Sequence, residues 1–428
     1  HHLAAKTGSD ILKEGGNAIE AMIASAAMIS VVYPHMNSMG GDNFWLISDE
    51  NKNVYAIDSC GPAGNNANIE FYKNCGFSSI PSRGPLSALT VPGAVAGWKL
   101  AYDFSVKNLG GKIPISRLLY DAEQTAKEGI AVTNTLRNNL KSKLNQLKNV
   151  PGFKDVYLKN GKIPNVGDRL FCPKLSNTFS SLIKNGLNDF YSGEVLSNII
   201  SDLELFGSPL NSDDFKNYKA TFVDPLELKI KDAKLFNLPP PTQGLASILI
   251  LGVLDELSID CKKDVELIHL IVEVTKAVFR IRDKHISDPR YMSVNVNDFI
   301  KKDFIKKLAK QINFERAAPW PSSSSGGDTV WLGATDSNGN TVSFIQSIYW
   351  EFGSGLILPK TGITMQNRGV SFSLDPKNNN YLLPGRKPFH TIQPALAHFD
   401  DGRIMSYGTM GGEGQPQTQA TIFYRYNV

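Results

Sequence analysis

Residues Ala18–Val32 read AIEAMIASAAMISVV, apolar on every face except at Glu20, Ser25 and Ser30. A helix that is apolar all round is one buried on all sides. The chain must therefore supply cover around this helix, and 428 residues with 42% hydrophobic content are ample for it. Length alone is compatible with two to three domains or with one large layered fold. No apolar run reaches the roughly 18 residues that a membrane span needs. With 20% charged residues and a formal net charge of +4, the chain has too weak a basic bias to imply nucleic acid or an anionic membrane. Even its densest basic run, FIKKDFIKKLAK (Phe299–Lys310), spaces its apolar residues as a helix does, with the lysines on a solvated face.

Cys60, Cys75, Cys172 and Cys261 show neither CxxC spacing nor a paired framework. A reduced, cytoplasmic protein without a structural metal site is expected, and no cofactor is implied. The opening HHLAAKTGSD already reads as the entry to a helix, and the chain stops abruptly after TIFYRYNV. This leaves open a leader before the first residue and a further stretch after the last.

Along the chain, a helix is expected to start at Ser9-Asp10 and break at Gly15-Gly16 before the buried helix. FWLISDENKNVYAIDS (Phe44–Ser59) has the pattern of a hairpin, and LTVPGAVAGW (Leu89–Trp98) that of a turn into a helix. Pro114–Asp260 is mostly helical in pattern. It closes with two strands, a Pro-rich turn and a buried helix from Gln243. One long helix follows and stops near Asp288-Pro289. A Ser-rich run at Ser322, expected to be exposed and mobile, separates this largely helical part from a β-rich last part.

That last part opens with GGDTVWLGATDSNGNTVSFIQS. Two β-rich runs flank a five-residue turn, Asp336–Asn340, with glycine near its tip. A symmetric register sets Thr335 opposite Thr341 and, six residues back on each side, Thr329 opposite Ser347. Cβ atoms of such a pair lie roughly 4.5–5.5 Å apart, close enough for the two hydroxyls to interact. Read from the hairpin alone, Thr329 is a β-branched residue that opens a strand. If the Asp328-Thr329 bond were cut, the freed α-amine, with a pKa near ~8, could take the proton of its own hydroxyl. Downstream, Gly411-Gly412 in YGTMGGEGQPQTQ are either a turn or a pair of amides that can approach an oxyanion. His390 follows the same division between a structural hydrogen bonder and a site residue, and no HxxxH or His/Cys cluster suggests a metal. There is no G-x-S-x-G nucleophile elbow.

Seven segments then carry a family resemblance: LKEGGNAIEAMIASAAMISVVYPHMNSMGGDNFWL, LTVPGAVAGW, DFYSGE, NLPPPTQG, GDTVWLGATDSNGNTVSF, FGSGLILPKTGI and GTMGGEGQPQTQ. Collinear over the whole chain, they resemble the γ-glutamyltransferase family of N-terminal-nucleophile hydrolases. QNRGVSFSLDP, LPGRKPFHT and MGGEGQPQTQA are similar to its oxamate-amidohydrolase-like branch. The resemblance implies an α+β fold, a four-layer αββα sandwich built jointly by two parts of one precursor, His1–Asp328 and Thr329–Val428. It implies autocleavage between Asp328 and Thr329, a small-molecule amide as substrate, Thr329 as nucleophile, Ser347 as the hydroxyl that orients it, and Gly411 and Gly412 as oxyanion donors. The substrate-side hydroxyl pair falls on His390 and Thr391.

Several pocket positions depart from the glutathione-processing pattern. The acidic residue for an α-ammonium falls on Ser371, a glutamine upstream of it on Arg368, and an asparagine of the second hairpin strand on Tyr349. The α-carboxylate arginine has no counterpart in GPAGNNANIEF (Gly61–Phe71). Charged hydrogen bonds contribute ~1.5–3 kcal/mol each, so loss of a partner at both ends of an amino-acid zwitterion disfavours γ-glutamyl substrates. Arg368, and with it Arg83, would instead suit a small carboxylate-bearing amide of the oxamate type. A true γ-glutamyltransferase with a remodelled pocket is one alternative, and a non-catalytic binding protein on the same fold is another. Association of two precursor copies is an expectation from base rates alone.

Overall fold

The computed structural model describes residues 1–258, 264–320 and 329–427. Its eleven strands are β1 (Asp42–Ser48), β2 (Val54–Ser59), β3 (Ile130–Ala131), β4 (Arg169–Leu170), β5 (Thr221–Val223), β6 (Leu226–Lys229), β7 (Ala233–Asn237), β8 (Val330–Thr335), β9 (Thr341–Ser347), β10 (Ala395–Phe399) and β11 (Ile404–Tyr407). They form one five-stranded sheet in the order β5-β2-β1-β9-β8, one four-stranded sheet in the order β11-β10-β7-β6, and a small β3-β4 ribbon. The recorded pairings are antiparallel. Each large sheet takes strands from both sides of residues 321–328.

Strand parity separates the layers, because successive side chains point to opposite faces. Phe44, Leu46, Ala56 and Ile345 of the first sheet meet Phe236 and Leu396 of the second in one apolar cluster. The alternate residues, Trp45, Ile47, Ile57, Val342 and Phe344, pack outward against the helix Ala18–Val32 and its neighbours. On the far side, Ala233, Leu235, Ala395, Ala397 and Phe399 pack against the helices Gly244–Leu257 and Asp264–His285. The molecule is thus an α+β sandwich of helices, sheet, sheet and helices, as the resemblance implies.

All fifteen residues of Ala18–Val32 are buried. Its N-terminus carries a capping box, in which Asn17 accepts from the amides of Ile19 and Glu20 while Glu20 accepts from that of Asn17. The hairpin Phe44–Ser59 is present as β1 and β2. Other expectations need correction. The first helix runs His2–Lys13, so Ser9 and Asp10 lie inside it, where Asp10 pairs with Lys6. Three short strands, not two, precede the Pro-rich turn. The final segment ends in a helix, Gln415–Asn427, that local pattern did not signal. Cys60, Cys75 and Cys172 are free thiols. Cys261, the Ser-rich run and Asp328 lie outside the described residues. Among the described residues, no helix is long and apolar enough to cross a membrane.

Candidate active site at the mouth between the sheets

The β8–β9 register pairs Thr335 with Thr341 and Val330 with Gln346. One step further back, Thr329 faces Ser347, and its Oγ1 donates to Ser347 Oγ at 3.3 Å. Ser347 is in turn opposite Asp42 on β1. Side chains directly across an antiparallel ladder share a face, so Thr329, Ser347 and Asp42 form a row across three strands. They share parity with Trp331, Ile345 and Phe44, which line the space between the sheets. The row therefore stands at one mouth of that space. Gly41 makes this approach feasible, because a Cβ there would lie 2.3 Å from the carbonyl oxygen of Ser347.

Ser347 Oγ also accepts from the amide of Tyr349 at 2.9 Å. Tyr349 lies two residues beyond the end of β9, not on the strand as expected, and holds φ at 82°. A bulky residue at positive φ is strained. Here the conformation turns the ring under Arg368, whose Cζ sits 3.8 Å from the ring centroid. Arg368 opens a short 3₁₀ turn that ends at Ser371 and is fully buried. Its Nη1 donates to Thr391 Oγ1 at 3.2 Å. Its Nε and Nη2, together with the Ser371 hydroxyl, have no hydrogen-bond partner among the described residues. Unsatisfied buried donors cost ~1–3 kcal/mol each, more when charged. They mark this guanidinium as one that an anionic ligand would complete.

Asp42 was not singled out from sequence. Its buried carboxylate accepts from the amides of Gly61 at 3.2 Å and Gly93 at 3.0 Å, and its Oδ2 lies 3.2 Å from His390 Nε2. Burial pushes the Asp42 carboxyl up to about 7, against the downward pull of Arg368 and of its hydrogen-bond donors. Burial also drives His390 well below the ordinary imidazole range, with the Arg368 and Lys387 cations adding to the effect. His390 is thus neutral near pH 7. Burial lowers Arg368 to about 10, which leaves it cationic at neutral pH, and Tyr349 and Asp42 oppose the shift.

The second sheet brings the remaining residues. Gly408, just past β11, runs so close to Trp331 that a Cβ would lie 2.1 Å from the indole. The Gly411-Gly412 turn follows three residues further on. Both glycines have positive φ, 106° and 53°, and nothing lies within 4 Å of a Cβ built on Gly411. Gln243, expected from sequence only as a helix start, ties this turn down through the carbonyl of Gly412 at 2.8 Å.

Arg83 is not at this site as a free cation. It donates to the carbonyl of Glu351 at 2.7 Å and to that of Gly353, and lies over the Trp350 ring. These contacts hold the Trp350–Gly353 loop. Among the described residues, no group of three or more His, Cys, Asp or Glu could hold a metal ion.

A family model described as γ-glutamyltranspeptidase matches residues 4–428. The chain belongs to the γ-glutamyltranspeptidase family. It is an enzyme of that family. Among relatives, it is 47% identical over 426 residues to the oxamate amidohydrolase proenzyme of Klebsiella pneumoniae, an alignment covering 100% of this chain and 80% of that one. It is 36% identical over 428 residues to the glutathione hydrolase-like YwrD proenzyme of Bacillus subtilis, covering 99% and 80% respectively. Among solved structures, the cephalosporin acylase of Bacillus halodurans superposes with a TM-score of 0.90 at 32% identity, covering 98% of this chain and 78% of that one.

Proposed function

We propose that this γ-glutamyltranspeptidase-family enzyme is a self-processing amidohydrolase acting on small amides that carry a carboxylate next to the scissile carbonyl, with oxamate as the model substrate. Cleavage of Asp328-Thr329 divides the precursor into His1–Asp328 and Thr329–Val428, which stay associated through the shared sheets. It also frees the α-amine of Thr329. Thr329 Oγ1 then adds to the amide carbon while its proton passes to that amine. Ser347 holds the attacking oxygen in line, and the Gly411 and Gly412 amides face the oxygen that gains charge. The C–N bond breaks, the leaving nitrogen takes the proton, and an ester remains on Thr329. Water adds to the ester, the acid departs, and the hydroxyl is restored.

The observation that carries this reading is the pairing of the Thr329–Ser347 hydroxyl contact with the incompletely satisfied guanidinium of Arg368. The name of the Klebsiella relative supports the same substrate class. The test is ammonia release from oxamate by protein whose processing has been verified by mass. Processed protein that releases no ammonia from any small carboxylate amide would refute the substrate class. The second reading, γ-glutamyl hydrolysis or transfer, draws on the family and on the glutathione hydrolases among its relatives. Turnover of a γ-glutamyl anilide in preference to oxamate would favour it.

A further inference from the structure

Gln243 caps the buried helix Gly244–Leu257 and is itself fully buried. Its Nε2 donates to two carbonyls at once, Thr391 at 2.5 Å and Gly412 at 2.8 Å. Its Oε1 accepts from Arg282 Nη1 at 2.9 Å, and Arg282 Nη2 reaches Glu413 Oε2 at 3.1 Å. The backbone amide of Gln243 donates to the carbonyl of His390 at 3.0 Å. One side chain thus joins two segments of different roles. Thr391 is the residue whose hydroxyl holds Arg368, and Gly412 belongs to the Gly411-Gly412 turn. The Gly411 carbonyl is pinned separately by the amide of Gly414 at 2.8 Å. The Gly411 carbonyl shares its peptide plane with the Gly412 amide, and the Gly412 carbonyl, tied to Gln243, fixes the plane that follows. Glycine there has no side chain of its own to limit its backbone, so this orientation depends on outside bonds.

We propose that Gln243 is a positioning residue that sets the spacing between the carboxylate-holding guanidinium and the oxyanion turn, and so selects substrate length. The inference rests on the reading of Arg368 and Gly411-Gly412 given above. A substrate whose carboxylate adjoins the scissile carbonyl presents its carboxylate and the oxygen that gains charge in the transition state at one short, rigid separation. A site that matches it must hold its own two ends equally rigidly, since a misplacement of about 1 Å can cost about 10²-fold in rate. Longer homologues with flexible methylenes adapt to a looser site and gain less from this rigidity.

The test compares wild type with Gln243→Met, which keeps the volume, and Gln243→Glu, which keeps the acceptor for Arg282 but removes both donors. Amide hydrogen exchange is followed over segments 388–393 and 409–414, with a thermal midpoint as the control for global stability. kcat and KM are measured for oxamate, malonamate and succinamate. Both variants should exchange faster in the two segments together, lose about 10–100-fold in kcat on oxamate with a smaller change in KM, and show a compressed oxamate-to-succinamate ratio. Unchanged exchange in either segment would overturn the coupling whatever the substrate is. If wild type turned over only a γ-glutamyl anilide, the substrate class would fail on its own, and length selection with it. An unchanged chain-length ratio in variants that still exchange faster would refute selection by Gln243.

Discussion

Arg368→Met removes the cation proposed above to meet an anionic acyl group. In the structure two of its donors, Nε and Nη2, are buried and unpaired among the described residues, while Nη1 is spent on Thr391. Hydrogen bonds involving a charged group contribute ~1.5–3 kcal/mol each, so two of them to a substrate carboxylate amount to ~3–6 kcal/mol. At about 1.4 kcal/mol per decade, kcat/KM for oxamate should fall ~10²- to 10⁴-fold. Oxamide, the neutral analogue, offers the guanidinium a carbonyl in place of a carboxylate and should lose markedly less than oxamate. Stability should not follow activity. Met fills a similar volume and removes two buried donors that lack partners among the described residues, which offsets the lost bond to Thr391. Asp42 would lose its neighbouring cation, which shifts its already raised carboxyl further toward the protonated, uncharged form. Steady-state kinetics on both amides, with calorimetry on the same preparations, gives the answer. An Arg368→Met enzyme that hydrolyses oxamate within about threefold of wild type would refute the assignment of the anion site. So would an equal loss on oxamide.

Asp42 yields a pH prediction. Its carboxyl titrates near 7 in the folded protein, and its ionised form sets a negative charge beside Arg368. KM for an anionic amide should therefore rise as pH increases through about 7, and Asp42→Asn should flatten that rise. The same shift bears on stability: the folded state binds this proton more tightly than the unfolded one, so the contribution is full below about pH 4 and is lost as pH climbs through 7. Asp42→Asn should remove that slope from a denaturant-unfolding series. Ser347→Ala should lower kcat by about 10–100-fold with KM little changed, because the hydroxyl positions Thr329 and not the substrate. Gly41→Ala should abolish activity and lower the thermal midpoint, since its methyl group would meet the Ser347 carbonyl at 2.3 Å.

What could be read ahead of the structure follows from the range of the forces involved. The Thr329–Ser347 contact was legible because a turn of fixed length and a two-residue side-chain period set register locally. The burial of Ala18–Val32 was legible because only Glu20, Ser25 and Ser30 interrupt an otherwise apolar surface. Arg368 was reached through family resemblance, and its stacking on Tyr349 depends on a positive φ that tyrosine does not advertise. Asp42 was missed because its partners, Gly61, Gly93 and His390, are brought to it by tertiary packing. An acidic residue at the head of the apolar strand DNFWLIS was the available signal. Gln243 was read only as a helix start, since both carbonyls it holds lie more than a hundred residues away. Ser9 and Asp10 looked like a helix cap because those residue types favour caps; an i,i+4 pair with Lys6 suits Asp10 equally well to a helix interior.

The central claim is that Thr329 becomes the catalyst by becoming an N-terminus. Intact-mass spectrometry with N-terminal sequencing of the purified protein tests it most directly, alongside Thr329→Ala and Thr329→Ser. The account predicts two fragments, the second beginning Thr-Val-Trp-Leu, with cleavage and amide hydrolysis both lost in the alanine variant and both partly kept in the serine variant. A chain that remains whole yet hydrolyses amides, or one that is cut elsewhere with full activity, would contradict it.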